Sequence, residues 1–535
     1  MVATSAQRSS AAEPIETSPS DGDAGFSPAI RSFAHPAVLG FMAIAALAGL
    51  IARFLVTSDL WLDEALSVNI SKLPLGDIGE ALRHDGHPPL YYWLLHGWIS
   101  IFGDSTFAVR SLTGLISLLA LPLIYLVGKR LDGRQLGLLL AWTLSISPFF
   151  LRYGSETRMY SLVMVLTLVG YLAVSQALVR PEWKQLVLVA VSTGALLWTH
   201  YWSMWMLGSI GILLLVRLAH RARAGLEIRP SMMVIGSMVA GGVLFLPWVP
   251  SLLYQAQHTG TPWADPLRPD TLVITTLFDF NGGPYSQPQI LMAFTTVLLA
   301  IGVFGVGVSE YRIDLDLRSR ADARRPLAVM GVTMIVASAA GIVLQAAFAT
   351  RYASVFFPFY VILVGLGVSR FRFGLPRVIV ICALIVMSLA SMLFVFRLSK
   401  TQVGQVADAV HQTPPEAAYV ITCPDQLGPS VSRAVGSEYT IETYPRFGSP
   451  LLVDWVDYAE RNRSNDPAAF ADEVLRRAGK RTIFVAYSTT YLTIKNQCSD
   501  MIGRLSTART GTTLVLPEPK DFFEPMSVIA FPPSP

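Results

Sequence analysis

The sequence predicts a polytopic α-helical membrane protein that carries a soluble α/β domain at its C-terminal end. Three observations lead there. Of 535 residues, 52% are hydrophobic and only 15% are charged, where soluble domains carry about 25% charged residues. Apolar runs longer than the roughly 18 residues that cross a bilayer recur between residues 36 and 398, and mean hydropathy is +0.49. Beyond about residue 400 the composition becomes that of a water-soluble chain. The formal net charge of +4 is small, and the Lys and Arg fall in short loops between apolar runs, so nothing favours a nucleic-acid partner.

Residues 1–35 are polar, small and acid-containing, without the basic start, apolar middle and cleavage site of a signal peptide; they read as a disordered cytoplasmic tail. About eleven spans follow, near 36–57, 105–128, 135–152, 159–179, 184–201, 203–219, 231–252, 289–308, 327–348, 352–369 and 376–398. The loops GKRLDGR, VRPEWK, RLAHRARAGLEIR, SEYRIDLDLRSRADARR and SRFRFGLPR hold most of the basic residues and occur at every second crossing. The positive-inside rule then places the N-terminus in the cytoplasm of a plasma (inner) membrane protein. The region around Asp63, the turns RYGSETRMY, THYW and ATRYAS, and the 253–288 loop all face outward.

HPPLYYWLLHGWISIFG (87–103) is apolar but short, and counting it as a span would invert every later loop. It reads as an interfacial helix, entered at Pro88 and Pro89, where a missing N–H costs little. Residues 58–104 are then outer juxtamembrane helices within a transmembrane domain of residues 36–399. Arg53 should snorkel to headgroups, and Trp61, Tyr201 and Trp202 suit an interfacial aromatic belt. In the extracytoplasmic domain, residues 400–535, AAYVITC, RTIFVAY, GTTLVLP and SVIAF read as strands and DPAAFADEVLRRAG as an amphipathic helix. Cys423 and Cys498 lie on the oxidising side, where a disulfide is open to them. No metal-type Cys/His spacing, P-loop or dinucleotide-binding glycine signature is present.

Charges at the ends of spans face a protein interior or a water-filled cavity and mark functional sites. The outward turns supply Asp63 and Glu64; His87; Glu156, Arg158 and Tyr160; His200 and Tyr201; and Arg351 and Tyr352. Together they outline one outward cavity at the membrane boundary.

In their order and spacing, LWLDEA, HPPLYYWLLHGWISIFG and SPFFLRYGSETRMYSL resemble the GT-C membrane glycosyltransferases of the protein-mannosyltransferase and aminoarabinose-transferase type, over roughly residues 55–205. The resemblance implies a GT-C fold. It also implies inverting transfer of a sugar, mannose in the commonest case, from a polyprenyl-phosphate donor in the membrane lipid. The acceptor is a hydroxyl on the non-cytoplasmic side, carried by a cell-envelope glycan, a glycolipid or a protein. Asp63 matches the family's catalytic acid in the first outer loop.

The residues suit that chemistry. A carboxylate must take the acceptor proton, which falls to Asp63, with Glu64 orienting it or holding a sugar hydroxyl or metal. Guanidiniums hold two phosphate oxygens at once, which assigns Arg158 and Arg351 to the lipid phosphate. His87 and His200 would hold phosphate or acceptor, Glu156 would lock Arg158 or bind sugar, and Tyr160, Tyr201 and Tyr352 complete the binding set. One departure stands out: the aminoarabinose transferases have Glu-Lys before the Pro-Pro pair, where this chain has Gly86-His87. No cofactor is fixed by these residues: a divalent cation, Mg or Mn, is open, since Asp63 and Glu64 could hold one but alone supply too few ligands. Two other functions fit a chain of this composition: a lipid-linked sugar flippase or transporter, and an inactive relative serving as an assembly partner.

Overall fold

The computed structural model describes residues 36–259, 268–283, 288–344, 348–372, 374–491 and 494–533; the expected N-terminal tail, 1–35, lies outside the described residues. A helix corresponds to each predicted span. The first is α1 (Pro36–Ala52), and three short helices follow it over the loop predicted to cap the outer face: α2 (Leu62–Ser71), α3 (Ile78–Asp85) and α4 (Leu90–Phe102). At 1.5 Å per residue the 13 residues of α4 reach about 20 Å, short of a hydrocarbon core of about 30 Å.

The 40-residue helix α5 (Thr106–Ser145) is two helices turned back on each other. Asp132 and Gly133 leave helical backbone, Gly133 at φ +80°, and the arms close so tightly that a Cβ on Gly128 would lie 2.7 Å from the Gly137 Cα. The basic loop GKRLDGR is this turn. The predicted span 135–152 breaks at Ser147-Pro148: Ser147 caps α6 (Pro148–Gly154) by accepting the Phe150 N–H, and α7 (Tyr160–Ala177) begins after a short turn.

Helices Trp183–Thr199, Ser203–Arg223, Arg229–Val243, Gln289–Phe304, Ala321–Leu344, Phe357–Arg370 and Leu375–Arg397 complete the bundle. Among the described residues six helices, α5 counted once, are long and apolar enough to cross a membrane, and α1, Gln289–Phe304 and Phe357–Arg370 are shorter apolar helices. The 253–288 loop holds an unexpected helix, Pro269–Phe280, whose Asp279 binds Arg152 at 3.2 Å and the Tyr153 hydroxyl at 3.1 Å. Arg53 does not snorkel. It is buried beside α6, its guanidinium 4.3 Å from the Phe150 ring centre and donating to the Gly49 carbonyl.

β1 (Gly305–Gly307) and β2 (Ile313–Leu315) form a small hairpin between two bundle helices. The C-terminal part is a three-layer α/β unit. β3 (Ser399–Thr401) pairs in parallel with β8 (Phe522–Glu524). The main sheet contains β4 (Ala418–Cys423), β5 (Ile441–Thr443), β6 (Thr482–Tyr487), β7 (Thr512–Val515) and β9 (Ser527–Phe531), in the order β5-β4-β6-β9-β7. The first three run parallel, β9 runs antiparallel to β6, and β7 runs antiparallel to β9. Alternation along β4 sends Ala418 and Val420 into one core, with Val406 and Val431. Tyr419, Ile421 and Cys423 enter the other, with Phe470 and Met501. Cys423 and Cys498 are joined as a disulfide in that second core. The four strands and the helix expected from sequence all form.

This unit docks on the short helices α2 and α3 and the loop that bears them. The Trp455 N–H donates to the His84 carbonyl at 3.0 Å, Asp454 meets His84 at 2.9 Å, and Asn69 donates to the Leu451 carbonyl at 2.8 Å. The docked unit therefore shares a face with the turns that bear the candidate residues. A periplasmic reporter fused after residue 400 should be active outside the cytoplasm and silent inside, and one fused at Gly133 should behave oppositely; alkaline phosphatase activity at the two junctions measures this, and the reverse pattern contradicts the orientation.

Candidate active site

Adjacent residues on a helix point about 100° apart, so Asp63 and Glu64 in the first turn of α2 cannot face the same way. Glu64 points inward and has no solvent exposure. Arg110 of α5 grips it with two bonds, Nε to Oε1 at 2.9 Å and Nη2 to Oε2 at 2.7 Å, and the Thr157 N–H adds 2.9 Å to Oε1. Burial opposes its ionisation, but Arg110, Lys400 and these hydrogen bonds outweigh it and hold the carboxyl well below the usual range. The remaining Arg110 donors reach the carbonyls of Val56, Ser58 and Asp59 and fix the stretch that leads into α2.

Asp63 points into a cavity of about 240 Å³ between the bundle and the C-terminal unit. Its Oδ2 lies 3.4 Å from Arg351 Nη2 and 4.0 Å from Arg158 Nε, and makes no hydrogen bond. Arg158 is held rigidly: Nη1 donates to Ser67 Oγ at 3.0 Å and the Tyr92 hydroxyl at 3.2 Å, and Nη2 lies 2.9 Å from His87 Nε2. A guanidinium has only donors, so His87 Nε2 must accept there, and the proton sits on Nδ1, which donates to Asp85 at 2.8 Å. Burial alone would raise the Asp85 carboxyl; His87 and Arg158 bring it below its ordinary value. Gly86, at φ +90°, turns the chain out of α3 and aims His87 at Arg158.

Arg351 comes from a short 3-10 turn, Thr350–Val355, ahead of Phe357–Arg370. Behind it the aromatic residues stack: His200 lies 5.1 Å from Tyr352 and 5.9 Å from Tyr160. His200 Nδ1 accepts the Trp202 N–H at 3.1 Å, which leaves the proton on Nε2. Burial, reinforced by His87, Arg158 and Arg351, keeps this imidazole neutral. Its Nε2 and the Tyr160 hydroxyl are buried without a hydrogen-bond partner. The structure thus gathers Asp63, Arg158, Arg351, His87, Tyr160, His200 and Tyr352.

Glu156 and Tyr201 fall elsewhere. Glu156 does not lock Arg158; Lys400 takes it at 2.9 Å, and lies 4.0 Å from Glu64 as well. Tyr201 turns away from its neighbour His200 to bond Gln255 and receive the Trp248 indole N–H at 2.9 Å. Trp61 is not an interfacial belt residue: it is buried at the cavity, edge-on to Phe523 at 5.0 Å. Glu64, committed to Arg110, cannot share a metal with Asp63, and among the described residues no three His, Cys, Asp or Glu side chains converge as a metal site. The residues present do not fit the divalent cation left open from sequence.

Sequence reasoning missed Arg110, Lys400 and Glu524. Glu524 of β8 bonds across to the membrane part: Oε1 receives the Leu62 N–H at 3.3 Å and the Tyr491 hydroxyl at 2.9 Å, and Oε2 receives Thr401 Oγ1 at 2.7 Å. It therefore satisfies an open N–H at the start of the helix that bears Asp63. Burial pushes its carboxyl up to about 7 despite those hydrogen bonds.

Residues 86–250 match the family model described as dolichyl-phosphate-mannose-protein mannosyltransferase. The crystal structure of ArnT from Cupriavidus metallidurans in the apo state superposes with a TM-score of 0.53 at 12% identity, covering 92% of this chain and 98% of that one. The chain has the GT-C fold. The same enzyme bound to undecaprenyl phosphate superposes over the same shares at a TM-score of 0.52 and 12% identity. No curated protein matches the chain by sequence. Within the GT-C fold the chain resembles the protein-mannosyltransferase and aminoarabinose-transferase type, and the family match spans His87, Arg158 and His200 but stops short of Arg351.

Two outcomes follow from the buried acids. Glu64→Gln leaves Arg110 buried beside a neutral partner, and should cost about 3–5 kcal/mol of stability, read as a lowered melting temperature in detergent; an unchanged melting temperature contradicts the anchoring role. Glu524 has its pKa raised above the unfolded value of 4.5. Its stabilising neutral form is fully present below that value and is lost as pH rises through about 7. The melting temperature of Glu524→Gln relative to wild type should therefore climb between pH 5 and pH 8, and a flat difference contradicts the assignment.

Proposed function

We propose that the protein is an inverting glycosyltransferase that moves a sugar, mannose, from a polyprenyl-phosphate donor to a hydroxyl acceptor on the outer face of the plasma membrane. One observation carries the reading: a partly accessible carboxylate faces two guanidiniums, Asp63 with the part-exposed Arg351 at 3.4 Å in the cavity and with the buried Arg158 at 4.0 Å beneath it. Two cations against one anion leave a net positive charge, the complement of a phosphodiester that ends as a phosphate monoester. The neighbouring acids do not cancel it, because Asp85 is shared with His87 and Glu64 is matched by Arg110.

The acceptor hydroxyl would sit beside Asp63. As its oxygen bonds to the anomeric carbon, its proton passes to the Asp63 carboxylate. The bond from that carbon to the phosphate oxygen breaks on the opposite side, its electron pair stays on the lipid phosphate, and the configuration inverts. Arg351 and Arg158 stabilise the charge that grows on the departing phosphate. Ser67, Tyr92 and His87 keep Arg158 from following Asp63 when the carboxylate is protonated. The lipid enters from the bilayer and the acceptor from the aqueous side, under the C-terminal unit.

Asp63→Asn keeps shape and polarity while removing proton acceptance. With a polyprenyl-phosphate mannose donor and cell-envelope acceptors, kcat should fall by about 10²–10⁴-fold without a rise in KM for donor. Near-normal turnover removes Asp63 as the base.

A further inference from the structure

The cavity over Asp63 has a floor and a roof of different character. The floor is charged, Asp63 and Arg351. The roof belongs to the C-terminal unit and brings Gln426, Trp455, Thr490 and Tyr491, the Thr490 hydroxyl being paired with Ser488 Oγ at 2.9 Å. Gln426 decides the matter. Its side chain has no solvent exposure, and neither its Oε1 nor its Nε2 has a hydrogen-bond partner. Leaving both ends of a buried amide unmade costs free energy, and a buried polar group without a partner in a native protein calls for an explanation.

Its surroundings narrow the missing partner. An amide offers a donor and an acceptor side by side, which a phosphate cannot satisfy and a pair of vicinal hydroxyls can. Among the described residues the roof supplies no guanidinium or ammonium for an anion, and its one acid, Glu524, is already engaged by Leu62, Tyr491 and Thr401. Aromatic faces suit the C–H surface of a sugar ring, and about 240 Å³ takes a single ring rather than an extended peptide. The roof also lies on the aqueous side, away from the lipid-borne donor.

We infer that this roof is the acceptor subsite and that it takes a pyranose or furanose ring, with Gln426 bonding two of its hydroxyls and presenting a third to Asp63. The inference rests on the glycosyltransferase reading for the word acceptor, but the sugar site itself does not. It selects a glycan or glycolipid over a protein as acceptor.

Saturation-transfer NMR on the full-length protein in detergent tests it, with methyl glycosides of mannose, glucose, galactose and arabinose and a Ser/Thr-containing peptide as probes. At least one glycoside should receive saturation from the wild type and from Asp63→Asn. Gln426→Leu, close in size and suited to a buried position, should weaken that binding about tenfold or more, since the ligand hydroxyls lose their partners. Thr490→Val serves as a second variant on the same wall. Binding of the peptide but of no glycoside, binding of neither, or glycoside binding indifferent to both variants overturns the sugar site. Gln426-dependent glycoside binding without transfer from any polyprenyl-phosphate donor leaves the site standing and removes the proposed activity. Transfer whose KM for glycoside is the same in Gln426→Leu does the reverse.

Discussion

The buried pair of Glu64 and Arg110 is the constraint from which the rest of the site follows. Both side chains lie almost wholly out of water, where an unmatched charge would be very costly. Matching them draws four pieces of chain together: the stretch 56–59 through Arg110, α2 through Glu64, the turn before α7 through the Thr157 N–H, and the linker to the C-terminal unit through Lys400. Once these are fixed, helical geometry leaves Asp63 no choice but to project about 100° away, into the cavity. The two acids in DLWLDEALSV thus have separate duties, one holding the turn and one facing the guanidiniums.

A second consequence concerns the C-terminal unit. Lys400 bonds Glu156, Glu524 meets the first N–H of α2, and Gln426 closes the cavity from above. The unit is part of the site wall. Its attachment through Glu524 makes that wall sensitive to proton concentration near neutrality, while Glu64, held well below the usual carboxylate range, keeps its salt bridge to Arg110.

Much of this was legible in the sequence because a charge beside hydrocarbon is conspicuous. Asp63, His87, Arg158, His200 and Arg351 were picked out by their place at span ends, and the structure brings them together. The division of labour between Asp63 and Glu64 was not legible, since it depends on Arg110, which reads as an ordinary charge at the start of an apolar run. Lys400 reads as a linker residue and Glu524 as a surface acid between strands; their roles arise only when residues hundreds of positions apart are docked. Tyr201 adjoins His200 in sequence but bonds Gln255 and Trp248 instead, because at the end of a helix neighbouring side chains diverge. The break at Ser147-Pro148 and the helix Pro269–Phe280 were local signals, a proline in the first turn in each case and a serine cap at the first, obscured by the surrounding apolar run and by the length of the loop.

The central claim is that Arg351 and Arg158 are charge-matched to Asp63 at rest and to a lipid phosphate during turnover. Asp63 and the phosphate must then compete for the same cations. Equilibrium binding of undecaprenyl phosphate to the full-length protein in nanodiscs, compared across wild type, Asp63→Asn and Arg351→Ala, tests this most directly. Asp63→Asn should bind the lipid more tightly than wild type, because the competing carboxylate is gone, and Arg351→Ala more weakly. Weaker binding by Asp63→Asn, or binding indifferent to Arg351, would contradict the account.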